Sequence, residues 1–166
     1  MLHINETMLR FAYIRAQRLS NDPATQNGAI LVPRGYEAIT SGVNAIPGNV
    51  VISAERLERP QKYTFIEHAE RAAIYEAARY GIKTNGATLF CPWFACADCA
   101  RAIILAGIRH VVGHKQAMDQ TPERWQKSID EGNQMLDEAG VVREYFDGQI
   151  FTSDFTVLFN GRLWTP

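Results

Sequence analysis

The chain has 166 residues, 46% of them hydrophobic, with a formal net charge of −1. That balance argues against a protein held on nucleic acid by bulk electrostatics, and the longest apolar stretches fall far short of a bilayer span. No composition shift divides the chain, so one domain over 1–166 is expected, and an N-terminus without a basic segment followed by an apolar one points to a soluble cytoplasmic protein.

In chain order, residues 6–19 read as an amphipathic helix capped by Asn5. Segments 28–32 and 37–43 read as a hairpin around Pro33, Arg34 and Gly35. The charged stretch 44–65 reads as a long irregular connection. Residues 68–80 place Ala72, Ala73, Ile74, Ala77 and Ala78 at helical intervals, with Gly81 as the stop. Strand 87–91, helix 96–106 ended by Gly107, and strand 108–112 form a βαβ unit, which implies parallel, buried pairing. A helix over 122–139, stopped by Gly140, leads to strand 141–146, and 155–159 adds an edge strand. The sum is a three-layer α/β/α sandwich around a mixed five-stranded sheet.

Chemistry concentrates at two helix starts. Cys96 and Cys99 form a C-x-x-C pair, which by itself fits a redox couple as well as a metal site. His68 and Glu70, at the other start, tip the reading to zinc. Zn²⁺ takes nitrogen and sulfur ligands in a tetrahedron, and a catalytic site leaves the fourth position to water. His68, Cys96 and Cys99 supply three ligands. Residues two apart on a helix are separated by about 200° and share no lateral face, but both reach an ion placed over the helix N-terminus. Cys96 and Cys99, three apart, lie on one face. The two N-termini, with their positive dipole ends, favour thiolates and an oxyanion there. Glu70 is then the proton carrier; its bland alternative is a carboxylate that stabilises a helix start. Cys91, in an apolar strand, reads as a small buried hydrophobe, since a fourth protein ligand would shut out water.

The residues HAE and CADC, set in IEHAERAAIYEAARYGI and GATLFCPWFACADCARAIILAGIRHVV, resemble the zinc-dependent cytidine and deoxycytidylate deaminase superfamily over about 8–142, whose signature is H-x-E followed by P-C-x-x-C. DPATQNGAILV, SGVNAIPG, GATLF and AGIRHVV carry the likeness to deoxycytidylate deaminase within it. Three places depart from the pattern: Ala95 precedes the first ligand cysteine in place of proline, Asn27-Gly28-Ala29 replaces V-G-A, and 42–47 reads GVNAIP for G-Y-N-G-x-P. None is a ligand.

The resemblance implies the cytidine deaminase-like fold and hydrolysis of dCMP to dUMP and ammonia. Glu70 would take a proton from water and deliver it to N3 while hydroxide adds to C4, and would then protonate the departing amine. It further implies that Asn44 contacts sugar or base, that the Ala69 N–H holds the ring carbonyl, and that the Ala95 carbonyl accepts from the amine. Trp93 and Phe94 could wall the base. Phosphate candidates are Arg56, Arg59, Lys62, His114 and Lys115. A homo-oligomer is implied, a hexamer among its forms, with a small nucleotide as substrate and no stable contact with nucleic acid or membrane. The alternatives keep the chemistry on dCTP, cytosine, guanine or a tRNA adenosine, or make the chain a non-catalytic zinc or nucleotide-sensing subunit. Ammonia release across nucleotides separates the former, and the fate of a Glu70→Gln variant the latter.

Overall fold

Apolar side chains alternate along the central strands, and because both sheet faces are covered this alternation builds two cores on one sheet. The computed structural model describes residues 4–35 and 38–166. The elements run α1 (Ile4–Leu19), β1 (Gly28–Val32), β2 (Thr40–Val43), α2 (Ala54–Leu57), α3 (Lys62–Phe65), α4 (Ala69–Tyr80), β3 (Thr88–Phe90) and α5 (Ala97–Leu105). They continue with β4 (His110–His114), α6 (Lys115–Asp119), α7 (Glu123–Glu138), β5 (Val142–Phe146), β6 (Val157–Phe159) and β7 (Arg162–Trp164).

The main sheet has the order β2-β1-β3-β4-β5. β1 is antiparallel to β2 and β3, whereas β3, β4 and β5 are parallel, so the sheet is mixed and five-stranded. Ala29, Leu31, Leu89 and Val111 point to one face, where they pack with Ala73, Ala77, Ile103 and Leu136 of α4, α5 and α7. Ile30, Val32, Phe90 and Val112 point to the other, against Met8, Leu9 and Ala12 of α1. Helices thus cover both sides of the sheet, the three-layer arrangement expected.

Two close approaches locate the site. A Cβ on Gly42 would stand 2.2 Å from the carbonyl oxygen of Ala69, so β2 meets the start of α4 backbone to backbone. One on Gly132 would stand 2.4 Å from the carbonyl oxygen of Ala95, so α7 presses against the chain just before α5.

Several boundaries differ from the sequence reading. The 155–159 segment does not extend the main sheet: β6 pairs with β7 in a separate hairpin. Its turn residues Asn160 and Gly161 both have positive φ, 49° and 78°, the geometry that an Asn-Gly pair supplies in a two-residue hairpin. Asn5 does not cap α1 but lies within it, buried and donating to Glu144. The 44–65 connection holds α2 and α3, one turn each. Glu37, the expected start of the second hairpin strand, lies outside the described residues.

Candidate metal centre and cleft

His68 and Cys96 occupy the N-cap positions of α4 and α5, both in extended backbone. This geometry lets each side chain turn back over the end of its helix. Cys99, one turn into α5, is fully buried. The ligand atoms of His68, Cys96 and Cys99 all lie within 4.8 Å of one another, with Cys96 Sγ 3.5 Å and Cys99 Sγ 3.6 Å from His68 Nδ1. A tetrahedral zinc with bonds of about 2.3 Å to sulfur and about 2.05 Å to nitrogen needs a sulfur–nitrogen separation of about 3.6 Å. The donors fit zinc in both kind and spacing. Cys91, 3.3 Å from the Asn27 amide nitrogen, is not one of the three and packs in the core as a buried thiol.

Neighbouring groups hold this arrangement. The Cys96 thiol is pulled down to about 4, chiefly by its hydrogen bond with the Cys99 thiol and further by His68. Arg71 Nη1 donates to Cys99 Sγ at 3.3 Å, and its Nε donates to Glu67 Oε1 at 2.7 Å. Glu67 Oε1 also accepts from the His68 backbone N–H at 2.7 Å. One carboxylate therefore steadies both the start of α4 and the guanidinium against a ligand sulfur. At the other helix, Ser128 of α7 accepts from the Ala97 N–H at 3.1 Å, satisfying a donor that a helix start leaves open.

The cleft over these residues has two adjoining parts that share Asn44, His68, Trp93 and Trp125. The inner part is lined also by Asn27, Glu70, Phe94, Cys96 and Ile129. Glu70 is 3% exposed, and burial pushes its carboxyl up to about 7, with the His68 charge opposing. The Trp125 ring meets His68 edge-on at 5.6 Å and Trp93 at 6.1 Å. The outer part is lined also by Asp22, Thr25, Arg59, Lys62, Tyr63, Ile66 and Arg124 and carries most of the charged groups of the cleft. There Lys62 Nζ pairs with Asp22 Oδ1 at 2.5 Å, both buried, and Arg124 Nη2 donates to Asn160 Oδ1 at 2.7 Å.

Most of the residues singled out in the sequence meet here: His68, Glu70, Cys96, Asn44, Trp93 and Phe94 line the cleft, with Cys99 at the metal site. The Ala69 N–H, expected to hold a ring carbonyl, donates to Asn44 Oδ1 at 3.0 Å. Asn44 in turn donates one N–H to the Thr25 carbonyl at 3.1 Å, which leaves its second amide hydrogen for a ligand. The Ala95 carbonyl faces Gly132, and Ala95 is absent from the lining of either part. Of the phosphate candidates, Arg59 and Lys62 reach the outer cleft. Arg56 instead stacks on Phe65, Lys115 pairs with Asp119, and His114 is buried between Tyr13 and the Gly148 carbonyl. Sequence reasoning missed Asp22, Thr25, Arg124, Trp125 and Ile129 as cleft residues. For Arg124, Trp125 and Ile129 no local signal existed, because their role depends on where α7 docks. Asn27 was visible as a polar residue at an expected valine.

The family model for the cytidine and deoxycytidylate deaminase zinc-binding region matches residues 2–115. The chain belongs to this family. It is a hydrolytic deaminase with zinc as its cofactor. An uncharacterized deaminase from the luxG 3′ region of Aliivibrio fischeri is 35% identical over 122 residues, which are 74% of this chain and 80% of that protein. Human deoxycytidylate deaminase is 32% identical over 113 residues, 64% of this chain; the chain spans only 62% of the human enzyme's length. Among solved structures, the dCMP deaminase of cyanophage S-TIM5 in complex with dCMP and dUMP superposes with a TM-score of 0.68 at 26% identity, covering 86% of this chain and 96% of that one. The matched family region ends at 115, so α7, which brings Arg124, Trp125 and Ile129 to the cleft, lies beyond it. Among the described residues, no helix is long and apolar enough to cross a membrane.

Proposed function

We propose that this deaminase hydrolyses dCMP to dUMP and ammonia. The observation that carries the reading is the juxtaposition of the two cleft parts: a metal centre with a buried carboxyl opens directly onto a pocket lined by Arg59, Lys62 and Arg124. Because Asp22 neutralises Lys62, two guanidinium charges remain, which suits the near-dianionic charge of a monophosphate better than the greater charge of a triphosphate. The likeness to the cyanophage enzyme bound to dCMP and dUMP supports the same substrate.

In this reading His68, Cys96 and Cys99 hold zinc, which supplies the Lewis acidity that lowers the pKa of water from about 15.7 toward about 7. Glu70 takes a proton from the attacking water and hands it to ring N3, then takes the proton of the new C4 hydroxyl and delivers it to the amine. The C4–O bond forms, the C4–N bond breaks, and ammonia departs. Asn44 orients the ring or sugar with its remaining N–H. Trp93, Phe94 and Trp125 wall the base and exclude water, and Arg59 and Arg124 hold the phosphate.

The test is ammonia release from dCMP, dCTP, deoxycytidine, cytosine and guanine at matched concentrations. The expected outcome is the highest kcat/KM for dCMP, with Arg124→Ala raising KM for dCMP about tenfold or more, as for a lost charged hydrogen bond, and leaving deoxycytidine turnover nearly unchanged. Equal effects on nucleotide and nucleoside would remove the outer pocket from phosphate binding.

A further inference from the structure

Asn27 stands at the foot of β1, 4% exposed, and lines the inner cleft with Glu70, Asn44 and Phe94. Its amide nitrogen is committed, donating to the Trp93 carbonyl at 2.8 Å and to Cys91 Sγ at 3.3 Å. A carbonyl oxygen can only accept, so the Trp93 contact sets which end of the amide is nitrogen. The other end, Oδ1, has no hydrogen-bond partner among the described residues and is not sealed in the protein interior. On a residue that lines the inner cleft, it is the acceptor that the protein leaves unused. The neighbouring amide offers a donor: Asn44 Oδ1 already accepts from the Ala69 N–H, and of its two amide hydrogens one is given to the Thr25 carbonyl and the other is unused among the described residues. The Ala95 carbonyl, the other acceptor considered for the amine, is turned to α7.

Cytosine presents one hydrogen-bond donor at its reactive edge, the exocyclic amine, whereas O2 and N3 accept. We infer that Asn27 is a specificity-determining residue: its Oδ1 accepts from the exocyclic amine of the substrate base and opposes the carbonyl oxygen that replaces that amine in the product. This rests on the cytosine-nucleotide reading of the site. The same contact then serves twice. It holds the leaving group beside Glu70 before reaction, and after C–N cleavage it faces an oxygen with no hydrogen to donate, which favours release of the uracil nucleotide.

Zinc-loaded Glu70→Gln protein, with Asn27 or with Asn27→Leu, is titrated calorimetrically with dCMP, dUMP and the deoxyribonucleotide of pyrimidin-2-one, which carries hydrogen in place of the amine. With Asn27 present, dCMP binds roughly three- to tenfold more tightly than the amine-less nucleotide, the range for one net hydrogen bond. Asn27→Leu erases that preference and lowers the dCMP to dUMP affinity ratio by at least the same factor. If the variant weakens all three ligands equally, Asn27 only braces Trp93 and the assignment falls. Should Asn27→Leu fail to fold, equal binding of dCMP and the amine-less nucleotide by the Asn27 protein overturns it as well. Absence of any dCMP binding by the Asn27 protein overturns the substrate reading itself, which separates the two failures.

Discussion

Burial removes the water that would otherwise stabilise the charge of Glu70 and pushes its carboxyl up to about 7. Glu70→Gln keeps the shape and removes the proton site. Zinc is expected to remain stoichiometric while kcat falls by about 10²- to 10⁴-fold, the usual weight of a positioned acid–base group, as read by metal analysis and ammonia release. Turnover near the parent level would take Glu70 out of the proton path. Arg71 acts one step back, on the ligand and not on the substrate, through its N–H to Cys99 Sγ at 3.3 Å. Arg71→Met leaves that sulfur without its donor, and zinc affinity is expected to drop about 10- to 100-fold, as for other partners of metal ligands. Competition with a chromogenic chelator measures it. The HAE and CADC residues were legible at this scale because metal chemistry restricts both residue type and spacing. The Arg71 contact was not, since it joins α4 to α5 across 28 positions of sequence.

At the scale of elements, α7 determines the shape of the cleft. Its first turn brings Arg124 and Trp125, its middle brings Ile129, and Gly132 allows the approach to Ala95 and Cys96. Gly132→Ala sets two effects against each other. Alanine favours the helix by about 1 kcal/mol, but the added Cβ meets a backbone oxygen at 2.4 Å, which a side-chain rotation cannot relieve. Overpacking of this kind costs about 1–3 kcal/mol, so the net expectation is a lower Tm together with a raised KM for dCMP as α7 shifts outward. A higher Tm with unchanged KM would mean that α7 is not packed this tightly. Helix 122–139 was legible from its periodicity, but its docking face was not, because an amphipathic stripe says that a helix is covered and not by what. The β6–β7 hairpin had a local signal, Asn160-Gly161, which the apolar run 155–159 obscured.

Across the whole molecule, His114 ties distant parts together. Tyr13 of α1 bonds its Nδ1 at 2.7 Å, the Gly148 carbonyl bonds its Nε2 at 2.8 Å, and Trp164 of β7 stacks on its ring. The Gly148 carbonyl can only accept, so Nε2 carries the proton and Nδ1 accepts from the Tyr13 hydroxyl. Burial holds the imidazole below its ordinary value, with the Gly148 contact opposing. Above the unfolded value of about 6.5, folded and unfolded chains are both neutral at this position and its contribution to stability is complete. As pH falls below that, the unfolded chain takes up a proton that the folded one refuses, so stability declines until the folded-state value is passed. The expected result is a steeper loss of Tm as pH falls below about 6.5 in the parent than in His114→Gln. Parallel profiles would mean that His114 does not titrate differently on unfolding.

The sequence by itself determined the metal donors, the alternation of strands and helices and, through them, the family and the layered sheet. Those features are written in local spacing, where i,i+2 and i,i+3 relations at helix starts translate directly into geometry. Tertiary structure alone decided which residues reach the cleft and which do not: Arg124 and Trp125 arriving from α7, Asp22 neutralising Lys62, His114 withdrawn into the core, and the Ala69 N–H spent on Asn44. Each of these joins segments far apart in the chain. Packing of the two cores, and not any local preference, chooses which side chains meet in the cleft.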